Sequence, residues 1–293
     1  MSPGAILVTA GSKTIAPAEP LLSILTIWSF ADAGLAATRF TAGSVERRVA
    51  ELTALFEDSA VAGIFCARGG AGAAPLVARL EDPVIARNPK VFVGYSDATF
   101  LHLWLGQQGL VSFHGPMVAR DIADGAYDRD SLMRAVSGEG EPYASGEDDL
   151  LPLRAGAGEG VLRGGCLSIL AACAGTPWAL RPDPEGTLLF LEDVDEAPYR
   201  IDRMLWQLRR SGALEGVRGI VFGDMKGCSP PLRADWSLED VLLDALAGLD
   251  VPIALGLSSG HSAAPNLTLP LGVRARLECG KAARFAVLEH AVV

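Results

Sequence analysis

Short apolar runs and helix-compatible segments alternate along the first half of the chain. The runs at residues 6–8, 64–66 and 91–93 predict strands, and the last two lead into glycine-containing turns. Helix-compatible segments follow at 73–80 and 98–107. A further helix is predicted after Ser44, because apolar residues recur there at three- and four-residue spacing, at Val45, Val49, Leu52 and Phe56. The alternation predicts a doubly wound α/β layer with a parallel sheet, whose sites lie at the carboxyl ends of the strands.

The hydrophobic periodicity stops between residues 137 and 160, where glycines and acidic residues recur. We therefore predict an N-terminal α/β domain over 1–140, a linker over 141–160 and a C-terminal domain with a mixed sheet over 161–293. In the second half, apolar runs predict strands at 187–191, 219–222, 253–255, 273–277 and 283–288. One amphipathic helix is predicted from Ile201, Met204, Leu205 and Leu208, and another from the capping-box pattern that starts at Ser237.

Composition excludes several classes of partner. The 293 residues carry a formal net charge of -10 and no Lys/Arg stripe, which disfavours nucleic acid and anionic membranes. The N-terminus lacks the pattern of a signal peptide, and no apolar stretch is long enough for a membrane helix. The 5 cysteines are scattered without a CxxC pair, which favours free thiols in a reducing compartment. We expect a cytoplasmic protein.

Ser96 follows a predicted strand in a sharp turn. Gly94 ends the apolar run, and a helix-compatible segment begins two residues after Ser96. A serine in such a turn is held out at the edge of the sheet, and the N–H of Asp97 points to where an oxyanion would form. Alternatively, Ser96 or Asp97 only caps the helix. Ala98 stands where the GxSxG pattern has its second glycine.

The glycine-rich turn at residues 68–72 has two functional interpretations and a structural one. A phosphate cradle is disfavoured because the Gly-Lys-Ser/Thr ending is missing, and Pro75 stands where a dinucleotide fingerprint has its third glycine. The turn can instead lend a backbone N–H to an oxyanion hole, or it is a plain strand-to-helix connection. The oxyanion interpretation is favoured only in combination with Ser96.

Among the 4 histidines, His261 is the best candidate for a general base. It lies between a glycine and a serine on a turn-rich loop, where no packing role is evident. His114 follows a short predicted strand that could bring it to the same crevice. His102 falls inside a predicted helix, and His290 lies near the C-terminus.

Candidate carboxylates cluster after the predicted strand at 187–191. Glu192 directly follows this apolar run, where a buried group that orients a histidine is expected. Asp193, Asp195 and Glu196 come next, and the pattern alone leaves the choice among the four open, although a solvated loop suits the last two better. The chain has no HExxH motif, clustered His/Cys or EF-hand spacing, so neither a metal nor a cofactor is predicted.

Together these segments resemble the LD-carboxypeptidase family of serine peptidases, which includes muramoyltetrapeptide carboxypeptidases and microcin C self-immunity peptidases. The matching motifs run in family order across nearly the whole chain. They are RGGAG (68–72), GYSDAT (94–99), FHGPM (113–117), GGCLS (164–168), GTPW (175–178), LED (191–193), YRIDR (199–203), GH (260–261) and PNLTLPLG (265–272). Cys166 departs from the asparagine that family members often carry, and Ala71 from a common aromatic residue.

The resemblance implies a Ser-Glu-His triad on Ser96, Glu192 and His261, with the backbone N–H groups of Asp97 and Gly70 as the oxyanion hole. It also implies two domains with the active site in the cleft between them, a usual place for substrate sites. Tyr95 and His114 are the expected substrate contacts of this cleft.

The resemblance further implies removal of the terminal D-amino acid from murein tetrapeptides during cell-wall recycling. The rival substrate is an aminoacyl-nucleotide conjugate of the microcin C type, which would need an aromatic platform for its base. Trp178, Trp206 and Trp236 are candidate platforms or ordinary packing residues. An alternative of another class is a catalytically inactive peptide-binding module.

The family also implies a homodimer. The mean hydropathy of +0.28 and the 49% of hydrophobic residues agree with apolar surface covered by a partner. The alternative is that alanine raises the hydrophobic count without creating an adhesive surface.

Overall fold

The structure is a computed structural model that describes residues 26–28, 37–38, 41–80, 83–146 and 149–292. The strand predicted at residues 6–8 lies outside this part of the chain. Within the described ranges, no helix has the length and apolar character needed to cross a bilayer. The 5 cysteines are free and buried, as predicted.

The first part of the described chain has the expected alternation of strands and helices. In chain order its elements are β1 (Thr26–Trp28), β2 (Ala37–Thr38), β3 (Thr41–Ala42), α1 (Val45–Glu57), β4 (Gly63–Cys66), α2 (Ala73–Val77), α3 (Pro83–Arg87), β5 (Val91–Gly94), α4 (Thr99–Gln107), β6 (Ser112–His114) and α5 (Arg129–Ser137).

The second part begins with two strands that are consecutive in sequence but not neighbours in the sheet. Its elements are β7 (Leu151–Arg154), β8 (Gly156–Cys166), α6 (Leu167–Cys173), β9 (Thr187–Glu192), α7 (Pro198–Arg210), β10 (Val217–Gly223), α8 (Leu238–Ala245), β11 (Ile253–Leu257), β12 (Leu269–Leu271), β13 (Arg274–Cys279) and β14 (Ala283–Val287).

The first sheet has the order β1-β4-β5-β6-β12, parallel except for β12, which pairs antiparallel to β6. The side chains of successive residues of β4 pack into the hydrophobic cores on the two faces of this sheet. Ile64 packs in the core that contains Phe56 of α1, and Phe65 packs in the core that contains Leu132 of α5. Both faces of the sheet are therefore covered, as a parallel sheet requires. The α/β prediction is confirmed for this layer.

The second sheet has the order β14-β13-β8-β9-β10-β11-β7 and is mixed, as predicted. Strands β8 to β11 run parallel, and β7, β13 and β14 pair antiparallel. Helices α7 and α8 cover one face through Leu205 and Leu242. On the other face Phe190 of β9 shares a core with Phe285 of β14, so the sheet curls over itself.

Part of the segment predicted as a linker forms regular strands. Residues 151–154 are β7, and the glycine-rich residues from 156 onward are β8. The glycines reflect close packing, because a Cβ at Gly158 would lie 1.8 Å from the carbonyl oxygen of Arg218. A Cβ at Gly160 would lie 2.6 Å from the carbonyl oxygen of Gly186. Glycine in a strand can mark such an approach of another backbone, so composition alone was misleading here.

Candidate active site

Ser96 lies in a single 3₁₀ turn, Ser96–Ala98, between β5 and α4. Its φ of 61° is in the left-handed region, which is unfavourable for a residue with a Cβ. Such a conformation costs of order 1–3 kcal/mol and persists only when the surrounding structure enforces it. The turn therefore presents the serine side chain in a direction that an unstrained strand-to-helix turn would not.

The strand before this turn is fixed by His102. The ring Nε2 lies 2.8 Å from the carbonyl oxygen of Gly94, which can only accept, so Nε2 carries the proton. Nδ1 then accepts from the hydroxyl of Ser112 at 2.8 Å. Burial and the charge of His114 lower the pKa of His102 to about 3, so the ring is neutral. His102 is thus structural, as its place inside α4 suggests.

The glycine-rich turn after β4 packs directly against Ser96. A Cβ at Gly69 would lie 2.9 Å from the Cβ and 3.0 Å from the Oγ of Ser96, so only glycine fits. The far end of the turn is held by two side chains. Asp97 Oδ2 accepts from the backbone N–H of Ala73 at 2.9 Å, and Arg48 donates to the carbonyl oxygen of Gly72 at 2.8 Å.

Glu192 ends the fully buried strand β9 and contacts His261 twice. Its Oε2 accepts from His261 Nδ1 at 2.8 Å and from the His261 backbone N–H at 3.0 Å. Two glycines make room for the carboxyl group. A Cβ at Gly260 would lie 2.5 Å from Glu192 Cδ, and a Cβ at Gly223 would lie 2.8 Å from Glu192 Cβ. The close approach of the loop to the carboxylate therefore requires a glycine directly before His261.

The charges of this pair are mutually stabilised. Burial alone would raise the pKa of Glu192, but His114 and His261 outweigh it and hold the pKa at about 2. Burial would lower the pKa of His261, but the hydrogen bond and charge of Glu192, with smaller contributions from Asp193 and Asp121, raise it above the ordinary value. A histidine of this kind can accept a proton readily.

Tyr95 brings the two halves of the site together. Its ring lies edge-on to His261, with centroids 4.9 Å apart and an angle of 82° between the planes. Its hydroxyl donates to Asp121 Oδ1 at 3.4 Å. Ser96 is the next residue, so the histidine lies beside the serine turn. Within the described part of the chain, Ser96 Oγ and the His261 ring form no hydrogen bond.

A cavity of about 440 Å³ opens beside His261. Tyr95, Asp121 and His261 line one side, and Arg120 and Lys226 place two cationic side chains on its wall. Arg120 belongs to a π-helical turn, Val118–Ile122, a distortion that is frequent at functional sites. None of Trp178, Trp206 and Trp236 is among the described residues that line the cavity.

The predicted residues fall into different parts of the site. Tyr95 is on the cavity wall, Asp97 follows the serine, and Gly70, with a φ of 130°, lies in the turn against it. His114 is placed differently from the prediction. It is 0% exposed and lies behind Glu192, with Nε2 3.7 Å from Glu192 Oε1, so it does not face the cavity. The reason is that β6 is an interior strand, paired on both sides.

Several residues of the site were not found from the sequence. Asp121 accepts from the Met117 N–H at 2.8 Å as well as from Tyr95, and no periodicity marks it. Asn266 accepts from the Gly260 N–H at 2.9 Å and so ties down the loop that carries His261. The Pro-Asn pair after this loop was the available signal, since asparagine side chains commonly stabilise turns through their backbone neighbours.

The two-sheet α/β fold carries a histidine–carboxylate pair at a cavity, an arrangement suited to general acid–base catalysis. Profiles of the LD-carboxypeptidase N-terminal and C-terminal domains match residues 9–115 and 159–277. The "Probable murein peptide carboxypeptidase" of Bacillus subtilis is 40% identical over 260 residues, covering 86% of this chain and 79% of that protein. The chain belongs to the LD-carboxypeptidase family and is a carboxypeptidase.

Two further similarities bear on the fold and the substrate. The crystal structure of a muramoyltetrapeptide carboxypeptidase from Oxalobacter formigenes superposes with a TM-score of 0.75 at 28% identity, covering 88% of this chain and 89% of that one. The microcin C7 self-immunity protein MccF of Escherichia coli is 26% identical over 274 residues, covering 82% of this chain and 77% of that protein.

Proposed function

We propose that this chain is a serine carboxypeptidase that removes the terminal D-amino acid from murein tetrapeptides, with Ser96, Glu192 and His261 as its triad. The observation that carries the proposal is the pair formed by His261 Nδ1 and Glu192 Oε2 beside the strained Ser96 turn. The names of the Bacillus and Oxalobacter relatives support the substrate class.

The hydrogen bond to Glu192 determines which nitrogen of His261 reacts. Since Nδ1 donates to the carboxylate, Nε2 is left to accept the Ser96 hydroxyl proton. In the proposed reaction Ser96 Oγ attacks the peptide carbonyl as Nε2 takes the proton. Nε2 then returns the proton to the leaving amino group, and water hydrolyses the acyl-enzyme with the same histidine as base.

The proposed mechanism also needs an oxyanion hole and a movement of the Ser96 side chain. The backbone N–H groups of Asp97 and Gly70 would stabilise the oxyanion, and the contact of Gly69 with Ser96 supports this use of the turn. Ser96 Oγ would turn toward His261 when substrate fills the cavity. Catalytic hydrogen bonds commonly tighten in this way on substrate binding.

The cavity chemistry favours a peptide over a nucleotide conjugate. Among its described lining residues Tyr95 is the one aromatic side chain besides His261, and it already packs edge-on against that ring. A purine would need an open aromatic face for stacking. Arg120 and Lys226 instead suit the free carboxylate that any carboxypeptidase substrate carries.

The test is incubation of the pure protein with three substrates, followed by mass spectrometry. They are a murein tetrapeptide ending in D-alanine, the same peptide ending in L-alanine, and an aminoacyl-nucleotide conjugate. We expect release of D-alanine from the first alone, and a loss of roughly 10⁴–10⁶-fold in Ser96→Ala. Cleavage of the conjugate alone would identify the self-immunity activity. Binding of the peptides without turnover would identify an inactive module.

We also propose that the protein acts in the cytoplasm and as a homodimer. The buried free cysteines agree with a reducing compartment. Tyr199 and Trp206 of α7 are each 59% exposed and offer apolar area to a second copy. Light scattering at micromolar concentration tests the dimer, since one chain has a mass of 30.6 kDa.

A further inference from the structure

His114 and Glu192 face each other inside the protein. His114 ends β6 and is 0% exposed, and its ring packs edge-on against Phe190, with centroids 5.0 Å apart. Its Nε2 lies 3.7 Å from Glu192 Oε1. Both atoms are buried, and neither has a hydrogen-bond partner among the described residues. A buried carboxylate oxygen without a donor is costly, so this pair calls for a physical explanation.

The two carboxylate oxygens of Glu192 differ in their hydrogen bonds. Oε2 accepts two hydrogen bonds from His261, whereas Oε1 has only the imidazole of His114 close to it. The distance of 3.7 Å exceeds hydrogen-bond length by less than 1 Å. A small shift of either side chain would therefore close the contact, provided that His114 Nε2 carries a proton.

Ser259 decides where that proton lies. Its Oγ is 3.1 Å from His114 Nδ1 and 3.0 Å from the carbonyl oxygen of Leu267. A hydroxyl has one proton to donate. If the carbonyl receives it, Nδ1 must donate to Oγ, and a ring that is neutral then turns the Nε2 lone pair toward a carboxylate. If Nδ1 receives it, the N–H of Nε2 points to Oε1, which is electrostatically favoured.

We infer that His114 is a positioning residue for the triad carboxylate. It carries its proton on Nε2 and donates to Glu192 Oε1, which keeps Oε2 aligned with His261. The substrate does not touch it. This inference rests on the proposed triad, because it assigns His114 a role only through Glu192 and His261.

Two amide variants of His114 distinguish the role of Nε2 from that of Nδ1. The amide nitrogen of His114→Gln reaches the position of Nε2 and can still donate to Oε1. The amide of His114→Asn reaches only the position of Nδ1, beside Ser259. We expect the Asn variant to lower kcat about 10- to 100-fold with KM nearly unchanged, as for loss of a hydrogen bond to a charged group. The Gln variant should stay within a few-fold of the parent protein. Equal activities of the two variants, high or low, would overturn the inference.

A measurement on the unaltered protein covers the case in which a variant fails to fold. Long-range ¹H–¹⁵N correlation spectra of the histidine-labelled protein show which nitrogen of each ring is protonated. We expect a proton on Nε2 of His114, and a neutral ring protonated on Nδ1 would overturn the inference. This result does not depend on turnover. Failure of the proposed function would appear separately, as absence of tetrapeptide hydrolysis by the parent protein.

Discussion

His261 meets Glu192 through two atoms at once, since Oε2 lies 2.8 Å from the ring Nδ1 and 3.0 Å from the backbone N–H of the same residue. The double contact fixes both the loop and the ring. It also couples the protonation of His261 to a carboxylate whose own pKa is about 2. Several consequences can be measured.

The pH dependence of activity should reflect this coupling. His261 must be neutral to act as a base, and its pKa is raised above 6.5, so kcat/KM should rise with pH through a midpoint above 6.5. In Glu192→Gln the negative charge is lost and burial dominates, so the His261 pKa should fall and the plateau rate should drop by roughly 10³–10⁴-fold.

NMR titration of the His261 ring measures this shift directly. Asp124→Asn is the matched control, because Asp124 lies on the cavity wall but is not among the main influences on the His261 pKa. It should leave the titration midpoint in place. An unchanged or higher midpoint in Glu192→Gln would show that the carboxylate does not raise the histidine pKa.

The strain at Ser96 predicts that glycine is more stabilising than alanine at this position, the reverse of the usual order. At an ordinary backbone position, glycine destabilises a protein by roughly 0.5–1 kcal/mol relative to alanine. At a φ of 61° the Cβ of alanine is itself unfavourable, by roughly 1–2 kcal/mol. We expect Ser96→Gly to be more stable than Ser96→Ala, by up to about 1 kcal/mol in the free energy of unfolding, while both variants lose activity. Urea unfolding measures the difference. If the alanine variant were the more stable one, Ser96 would not be strained in solution.

Arg120 should recognise the carboxylate at the C-terminus of the substrate. Its guanidinium is on the cavity wall and takes part in no ion pair within the described part of the chain. A guanidinium binds a carboxylate through two parallel hydrogen bonds. The parent protein should therefore prefer a tetrapeptide acid to its C-terminal amide, and Arg120→Gln should reduce that preference about 10- to 100-fold.

The ratio of kcat/KM for acid and amide is the readout, and Lys226→Gln is the matched control. Lys226 is the second cation on the same wall. Loss of the acid preference in the lysine variant, with retention in the arginine variant, would assign carboxylate recognition to Lys226 instead.

Local patterns predicted part of the helices and strands. The spacing of Val45, Val49, Leu52 and Phe56 predicted α1, and Ser44 caps it as expected. The capping box at Ser237 likewise begins α8. The same approach failed for the glycine-rich run before Val161, which was predicted as a linker and forms part of β8. Its glycines allow close contacts with residues up to about 60 positions further along, such as Arg218. Composition does not distinguish a flexible glycine from one required by close packing.

In the site, too, features of the local sequence could be predicted, whereas contacts between residues far apart in the chain could not. The turn at Ser96 and the glycine before His261 are visible locally, and the family resemblance supplied their partnership with Glu192. The burial of His114 could not be predicted, because it depends on β12, whose Leu269 pairs with His114 from 155 residues away. Asp121 is similar, since its partner Tyr95 lies 26 residues earlier in the chain and becomes its neighbour only in the folded protein, where the π-helical turn lies beside the end of β5.

The most direct test of the account is to identify the nucleophile chemically. The protein is treated with a serine-reactive fluorophosphonate, digested, and analysed by mass spectrometry, with His261→Ala treated in parallel. We expect one adduct on Ser96 in the parent protein and strongly reduced labelling in the histidine variant, because the hydroxyl reacts only when a base removes its proton. An adduct on another residue, or equal labelling of Ser96 in both proteins, would contradict the proposed triad.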